Sequence, residues 1–207
     1  MRVTVPLLAP PLCWGCKAPA PRREPLCRSC RRTLRWLGGP PVHIAGEQAW
    51  APLAYEGAAR ELVRALKYRA AEGLAAGMAA QIAATAPDGF IAGVLVPVPL
   101  HPARRRRRGF NQAELLASEL SQRARLAVEC CLELTRQRAP QAGRPRAERV
   151  GARPGIRLRP GARPPRTAVL VDDVLTTGAT VAACAQALRG AGATEIRAVA
   201  YARTLAR

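Results

Sequence analysis

The sequence predicts an α/β domain, a mostly parallel sheet flanked by helices, preceded by a small metal-binding module. Three observations predict it. Apolar runs with strand character alternate with stretches of helical periodicity, which is the pattern of consecutive βα units. One such run, Ala168-Val169-Leu170-Val171, leads straight into Asp172, Asp173 and a loop rich in Thr and Gly. Near the front, four cysteines fall as two Cys-x-x-Cys pairs, Cys13/Cys16 and Cys27/Cys30.

Each Cys-x-x-Cys turn places two thiolates on one side of a metal, and two turns close a tetrahedral Zn²⁺ site with no open position. The intervening residues 17–26 hold three prolines and little apolar surface, so the metal supplies most of their folding free energy. Zinc is favoured over two disulfides by the expected cytosolic setting, and over a redox pair by the doubled motif. Gly38-Gly39-Pro40-Pro41 divides a zinc-ribbon module, residues 1–40, from the main domain, residues 41–207.

In the main domain, residues 50–55 read as a strand, and residues 58–67 as a helix with Leu62, Val63 and Leu66 on one face. Residues 73–84 form an Ala-rich helical segment and residues 94–98 a short buried strand. Residues 111–125 carry an apolar stripe of Leu115, Leu116 and Leu120, and residues 126–134 form another strand. The run 168–171 is a buried parallel strand, residues 181–188 a helix and residues 194–202 the last strand. Cys130, Cys131 and Cys184 lie in apolar segments and read as small buried hydrophobes.

Composition narrows the function. The net charge of +19 is uneven: residues 136–166 carry ten Arg against Glu148, and Arg104, Arg105, Arg106, Arg107 and Arg108 are consecutive. Such a field favours phosphate-rich partners in a salt-dependent way. Aromatics make up 4% of the chain, so a base-stacking platform is not evident. No apolar run approaches the ~18 residues that span a bilayer. Pro6, Pro10 and Pro11 interrupt the apolar stretch at residues 3–12, which argues against a signal peptide and for a cytoplasmic protein without membrane insertion.

Two motifs carry chemistry. Thr176, Thr177, Gly178, Ala179 and Thr180 follow the strand end, where backbone amides and hydroxyls make a phosphate pocket. Gly178, having no Cβ, lets the backbone approach that phosphate. Asp172 and Asp173 repel a phosphate and instead accept hydrogen bonds from sugar hydroxyls, or hold a hydrated Mg²⁺. The second motif is Pro97-Val98-Pro99-Leu100-His101-Pro102, the Arg run, and Gly109-Phe110-Asn111-Gln112. It reads as a mobile cationic loop, because adjacent guanidinium groups repel one another, and such a loop could close over a pyrophosphate.

The acid pair and the Thr-Thr-Gly-x-Thr loop closely resemble the phosphoribosyl-pyrophosphate (PRPP) signature of type I phosphoribosyltransferases. Together with the Pro-Leu-His-Pro and Arg-Gly-Phe-Asn-Gln segments, Leu66-Lys67-Tyr68-Arg69 and the four cysteines, they resemble the ComF competence-protein family along essentially the whole chain. The resemblance implies a type I phosphoribosyltransferase-like fold. It also implies that Asp172 and Asp173 grip ribose hydroxyls and act as the catalytic pair, and that the Thr loop holds the 5′-phosphate. Lys67, Arg69 and the cationic loop would serve pyrophosphate with Mg²⁺. It implies action in DNA uptake during natural transformation, contact with single-stranded DNA, and competence partners such as a DNA-uptake helicase. A phosphoribosyltransferase of nucleotide metabolism unrelated to DNA uptake is the alternative, and a DNA-binding module without turnover is a third reading. One region departs from the family. Arg138-Ala139-Pro140-Gln141 and Arg149-Val150-Gly151-Ala152 lack its Thr and Asn, and this bears on acceptor binding.

Overall fold

The computed structural model describes residues 11–21, 24–68, 71–135 and 155–205. The first half runs α1 (Arg28–Arg32), β1 (Val42–Ile44), β2 (Glu47–Trp50), β3 (Leu53–Ala54), α2 (Gly57–Tyr68), α3 (Leu74–Thr85) and β4 (Val94–Pro97). The second runs α4 (Pro102–Arg108), α5 (Gln112–Ala124), β5 (Leu132–Leu134), β6 (Ile156–Leu158), β7 (Thr167–Leu175), α6 (Ala179–Gly190) and β8 (Glu195–Arg203).

The main sheet has the order β1-β2-β8-β7-β4, with β3 pairing the far end of β8. Every pairing is parallel except the β1–β2 hairpin. Ala168, Val169, Leu170 and Val171 of β7 are all buried, as a strand covered on both faces requires. Side chains alternate across a strand, and the two cores follow that alternation. Val169 and Val171 pack with α2, α3 and α5 residues such as Leu62, Met78 and Leu116. Ala168 and Leu170 pack with Val181, Cys184 and Leu188 of α6. Beside α6 lies the separate antiparallel pair β5–β6.

Three expectations about local structure change. The strand at residues 50–55 is broken, with β2 and β3 pairing successive parts of β8; Pro52 between them has no N–H to donate to a ladder. Of residues 126–134, Val128 makes an isolated bridge to Leu95, and only Leu132–Leu134 forms a strand. The cationic segment is a helix rather than a loop. His101 caps α4 by accepting a hydrogen bond at Nδ1 from the Ala103 N–H at 3.2 Å, Pro102 occupies its first turn, and Gly109 ends it at φ 85°. These start and stop signals overcome the repulsion among the arginines, which Glu114 also relieves by pairing with Arg105 at 2.7 Å.

The four-cysteine unit shares the main core. Cys13, Ala20, Leu26 and Leu34 belong to the same buried cluster as Leu53, Leu62 and Tyr201. The Leu37 N–H donates to Pro52 O at 2.7 Å and the Ala54 N–H to Arg35 O at 3.0 Å. Leu34→Ala should therefore cost about 2–5 kcal/mol of the stability of the whole protein, read from urea unfolding of the zinc-loaded chain. A loss confined to residues 1–40, with the main transition unmoved, would show that the two parts are energetically separate.

Candidate functional site

A cleft of ≈460 Å³ opens where β4 and β7 end, lined among others by Lys67, His101, Arg104, Asn111, Asp172, Asp173, Thr176 and Thr180. Ligands of open α/β sheets bind at this edge. Strand alternation sends the two carboxylates to opposite faces. Asp173 lies on the α2 side, 2% exposed, with Oδ1 2.9 Å from Lys67 Nζ. Its Oδ2 is buried without a hydrogen-bond partner among the described residues. Asp172 lies on the α6 side and accepts a hydrogen bond at Oδ1 from the Asp173 N–H at 2.8 Å.

The electrostatics follow from burial and proximity. Burial, then the neighbouring Asp173 charge, pushes the Asp172 carboxyl up to about 8. Burial also pushes Asp173 up, against the opposing pull of Lys67 and Arg108. For Lys67, burial acts downward, but the charge and hydrogen bond of Asp173 carry it above its ordinary value.

The Thr loop leads into α6. Thr176 and Thr177 are exposed, and Thr177 Oγ1 accepts only a long hydrogen bond, 3.5 Å, from the Ala179 N–H. Gly178 caps the helix at φ 78°. A Cβ there would lie 2.5 Å from Ile44 Cγ2 and 3.0 Å from Ala45 Cβ, so the packing behind the loop also requires glycine. The β1–β2 turn thus braces the loop from behind. That contact joins residues far apart in sequence, and no local signal announced it.

The cationic motif divides by role. Arg104 lines the cleft. Arg105 is held by Glu114, and Arg108 donates to Gln112 Oε1 at 2.9 Å while lying 4.8 Å from the Tyr68 ring centre. Arg106 and Arg107 are exposed. Asn111 is buried, donating from Nδ2 to Val98 O and accepting at Oδ1 from the Ala113 N–H, both at 3.0 Å, so it fastens β4 to α5. Phe110 packs against the core. His101 is a cleft residue that the motif reading left unassigned; its place before Pro102 is a helix-start signal. Arg69, and the segments 138–141 and 149–152 in which the family's Thr and Asn are missing, lie outside the described residues.

The metal site is compact. The Sγ atoms of Cys13, Cys16, Cys27 and Cys30 all lie within 4.8 Å of one another, with Cys16 and Cys27 at 3.7 Å. Four sulfurs about 2.3 Å from one zinc stand roughly 3.8 Å apart, so this donor set fits a tetrahedral thiolate site. A disulfide needs a separation of about 2.05 Å, and all four are free. A Cβ on Gly15 would lie 2.9 Å from Cys30 Sγ, so the first knuckle closes only with glycine there.

The matched parts agree with this geometry. The family model described as "Phosphoribosyl transferase domain" matches residues 69–207, and the chain belongs to that family. Within it, the chain is a ComF-type member. It is 34% identical to "Competence protein ComFC" of Streptococcus pneumoniae over 49% of this chain and 44% of that one. It is 32% identical to "Competence protein F" of Haemophilus influenzae over 53% of this chain and 49% of that one. These matches span about half the length of those relatives. A "DNA utilization protein YhgH" of Salmonella typhimurium is 30% identical over 96% of this chain and 100% of its own length. A solved structure described as the allosteric regulatory enzyme of purine biosynthesis overlaps with a TM-score of 0.38 at 19% identity, covering 79% of this chain and 28% of that chain. Among the described residues, no helix is long and apolar enough to cross a membrane.

Two outcomes test the site. A carboxyl raised by folding contributes stability that is fully present below its ordinary 3.8 and lost as pH rises through about 8. Asp172→Asn should therefore raise the melting temperature at pH 8, with the gain shrinking as the pH falls toward 4; destabilisation at pH 8 would overturn the assignment. Gly15→Ala should weaken zinc about 10- to 100-fold, measured by competition with a chromogenic chelator. Unchanged affinity would mean the knuckle closes without the contact to Cys30.

Proposed function

We propose that the cleft binds PRPP or a related phosphoribosyl compound, and that the protein acts in DNA uptake. The observation that carries this reading is Asp173: a buried carboxylate with a free oxygen, in a cleft that also holds the Thr loop. A buried carboxylate with an unmet hydrogen bond is costly, and the donor it lacks is what a sugar hydroxyl supplies.

In this reading Asp172 and Asp173 accept hydrogen bonds from the ribose hydroxyls. Thr176, Thr177 and Thr180, with the first amides of α6, donate to the 5′-phosphate. Lys67, Arg69 and Arg104 offset charge on the pyrophosphate. Mg²⁺, when bound, would neutralise phosphate oxygens as they leave. Lys67 occupies Oδ1 of Asp173, which leaves Oδ2 for a sugar hydroxyl without breaking the ion pair. The four cysteines hold a structural zinc whose role is to keep the front of the chain packed on the domain.

The DNA-uptake part draws on the names of the similar competence and DNA-utilisation proteins and on the +19 charge. It sets the protein in the cytoplasm, contacting single-stranded DNA and other competence proteins. The family match equally favours a turnover reaction, in which an acceptor displaces pyrophosphate from PRPP.

Calorimetric titration of the zinc-loaded protein with PRPP and Mg²⁺ tests the reading. Saturable binding, weakened at least about tenfold by Asp173→Asn, is the expected result. A folded protein that takes up no PRPP would overturn it.

A further inference from the structure

We propose that Tyr68 and the outward face of α4 form a stacking platform for single-stranded nucleic acid, one base lying on the Tyr68 ring and the backbone on Arg106 and Arg107. The proposal rests on the nucleic-acid half of the function proposed above and assigns it a place.

Tyr68 ends α2 with 60% of its surface exposed, in a protein whose other described tyrosines are buried or half-buried. A single exposed aromatic is ordinary in a folded protein; what sets this one apart is the cationic helix beside it. The ring is also held in position. The Arg108 guanidinium lies 4.8 Å from its centre and is itself fixed by Gln112. A ring already immobilised on one side loses little conformational freedom when a base stacks on the other.

That contact brings the ring directly beside the cationic helix. Of the five arginines there, Arg105 and Arg108 are engaged internally and Arg104 faces the cleft. Arg106 and Arg107 are exposed and make no ion pair among the described residues. An exposed aromatic at one side of a cationic helix, with guanidinium groups further round that helix that make no ion pair among the described residues, is the combination that binds single strands without reading sequence. An acidic peptide would satisfy the arginines but leave the ring without a flat partner.

The test is fluorescence anisotropy with the full zinc-loaded chain and a labelled oligothymidylate of about 16 nucleotides, over a range of salt. Tyr68→Ala should weaken binding about tenfold and leave the salt slope unchanged, because stacking releases no counterions. Tyr68→Phe should bind like the original. Changing Arg106 and Arg107 together to Ala should instead flatten the slope by about 1.4, roughly 0.7 for each phosphate contact. An abasic strand of the same length should bind the original and Tyr68→Ala proteins equally. Failure of the original protein to bind the oligothymidylate would sink the nucleic-acid half of the proposed function along with this inference. Normal binding that is indifferent to Tyr68→Ala would overturn the inference alone.

Discussion

The burial of β7 on both faces is the constraint from which the site follows. Its four apolar residues are shielded by α2, α3 and α5 on one side and by α6 on the other. Asp172 and Asp173 follow them within the same strand and share its alternation, so one meets the Lys67 layer and the other the α6 layer. Burial raises both acids, the charge of Asp173 adds to the rise of Asp172, and Lys67 and Arg108 oppose the rise of Asp173. A pair held this way is costly, because one buried carboxylate oxygen of Asp173 has no hydrogen-bond partner among the described residues. The cost is tolerable because the strand beneath it is so firmly packed.

Around that strand, the remaining parts act as braces. The β1–β2 turn fills the space behind Gly178, and Glu47 of β2 pairs with Arg189 at the other end of α6. The Thr-Gly loop and its helix are thereby braced at both ends by one hairpin. The hairpin in turn follows directly after the cysteine unit, whose Leu26 and Leu34 sit in the core under α2. The cysteine unit, the hairpin and the Thr-Gly loop form one packed sequence of contacts, and four cysteines that could hold a structural metal suit the small apolar content at the front.

The cationic segment illustrates how packing sorts residues that look alike. Five arginines in a row carry one charge each, and composition treats them as a single field. Once they form α4, the helical period points them in different directions. One enters the cleft, two are tied to α5 and Tyr68, and two face solvent. The expectation of a mobile loop weighed their repulsion but not the capping residues at each end, His101 with Pro102 and Gly109.

By itself the sequence determined the α/β class, the two cysteine pairs, the acid pair at a strand end and the Thr-Gly loop after it. Each of these is written in contiguous residues or in a short period, so local chemistry suffices to read it. Only the tertiary structure decided that Lys67 would meet Asp173, that Ile44 would stand behind Gly178, and that the cysteine unit would join the main core. It also decided that Tyr68, one of few aromatics, would remain exposed beside α4. Those outcomes depend on how helices and a hairpin distant in sequence pack against one sheet, and no run of neighbouring residues encodes that meeting.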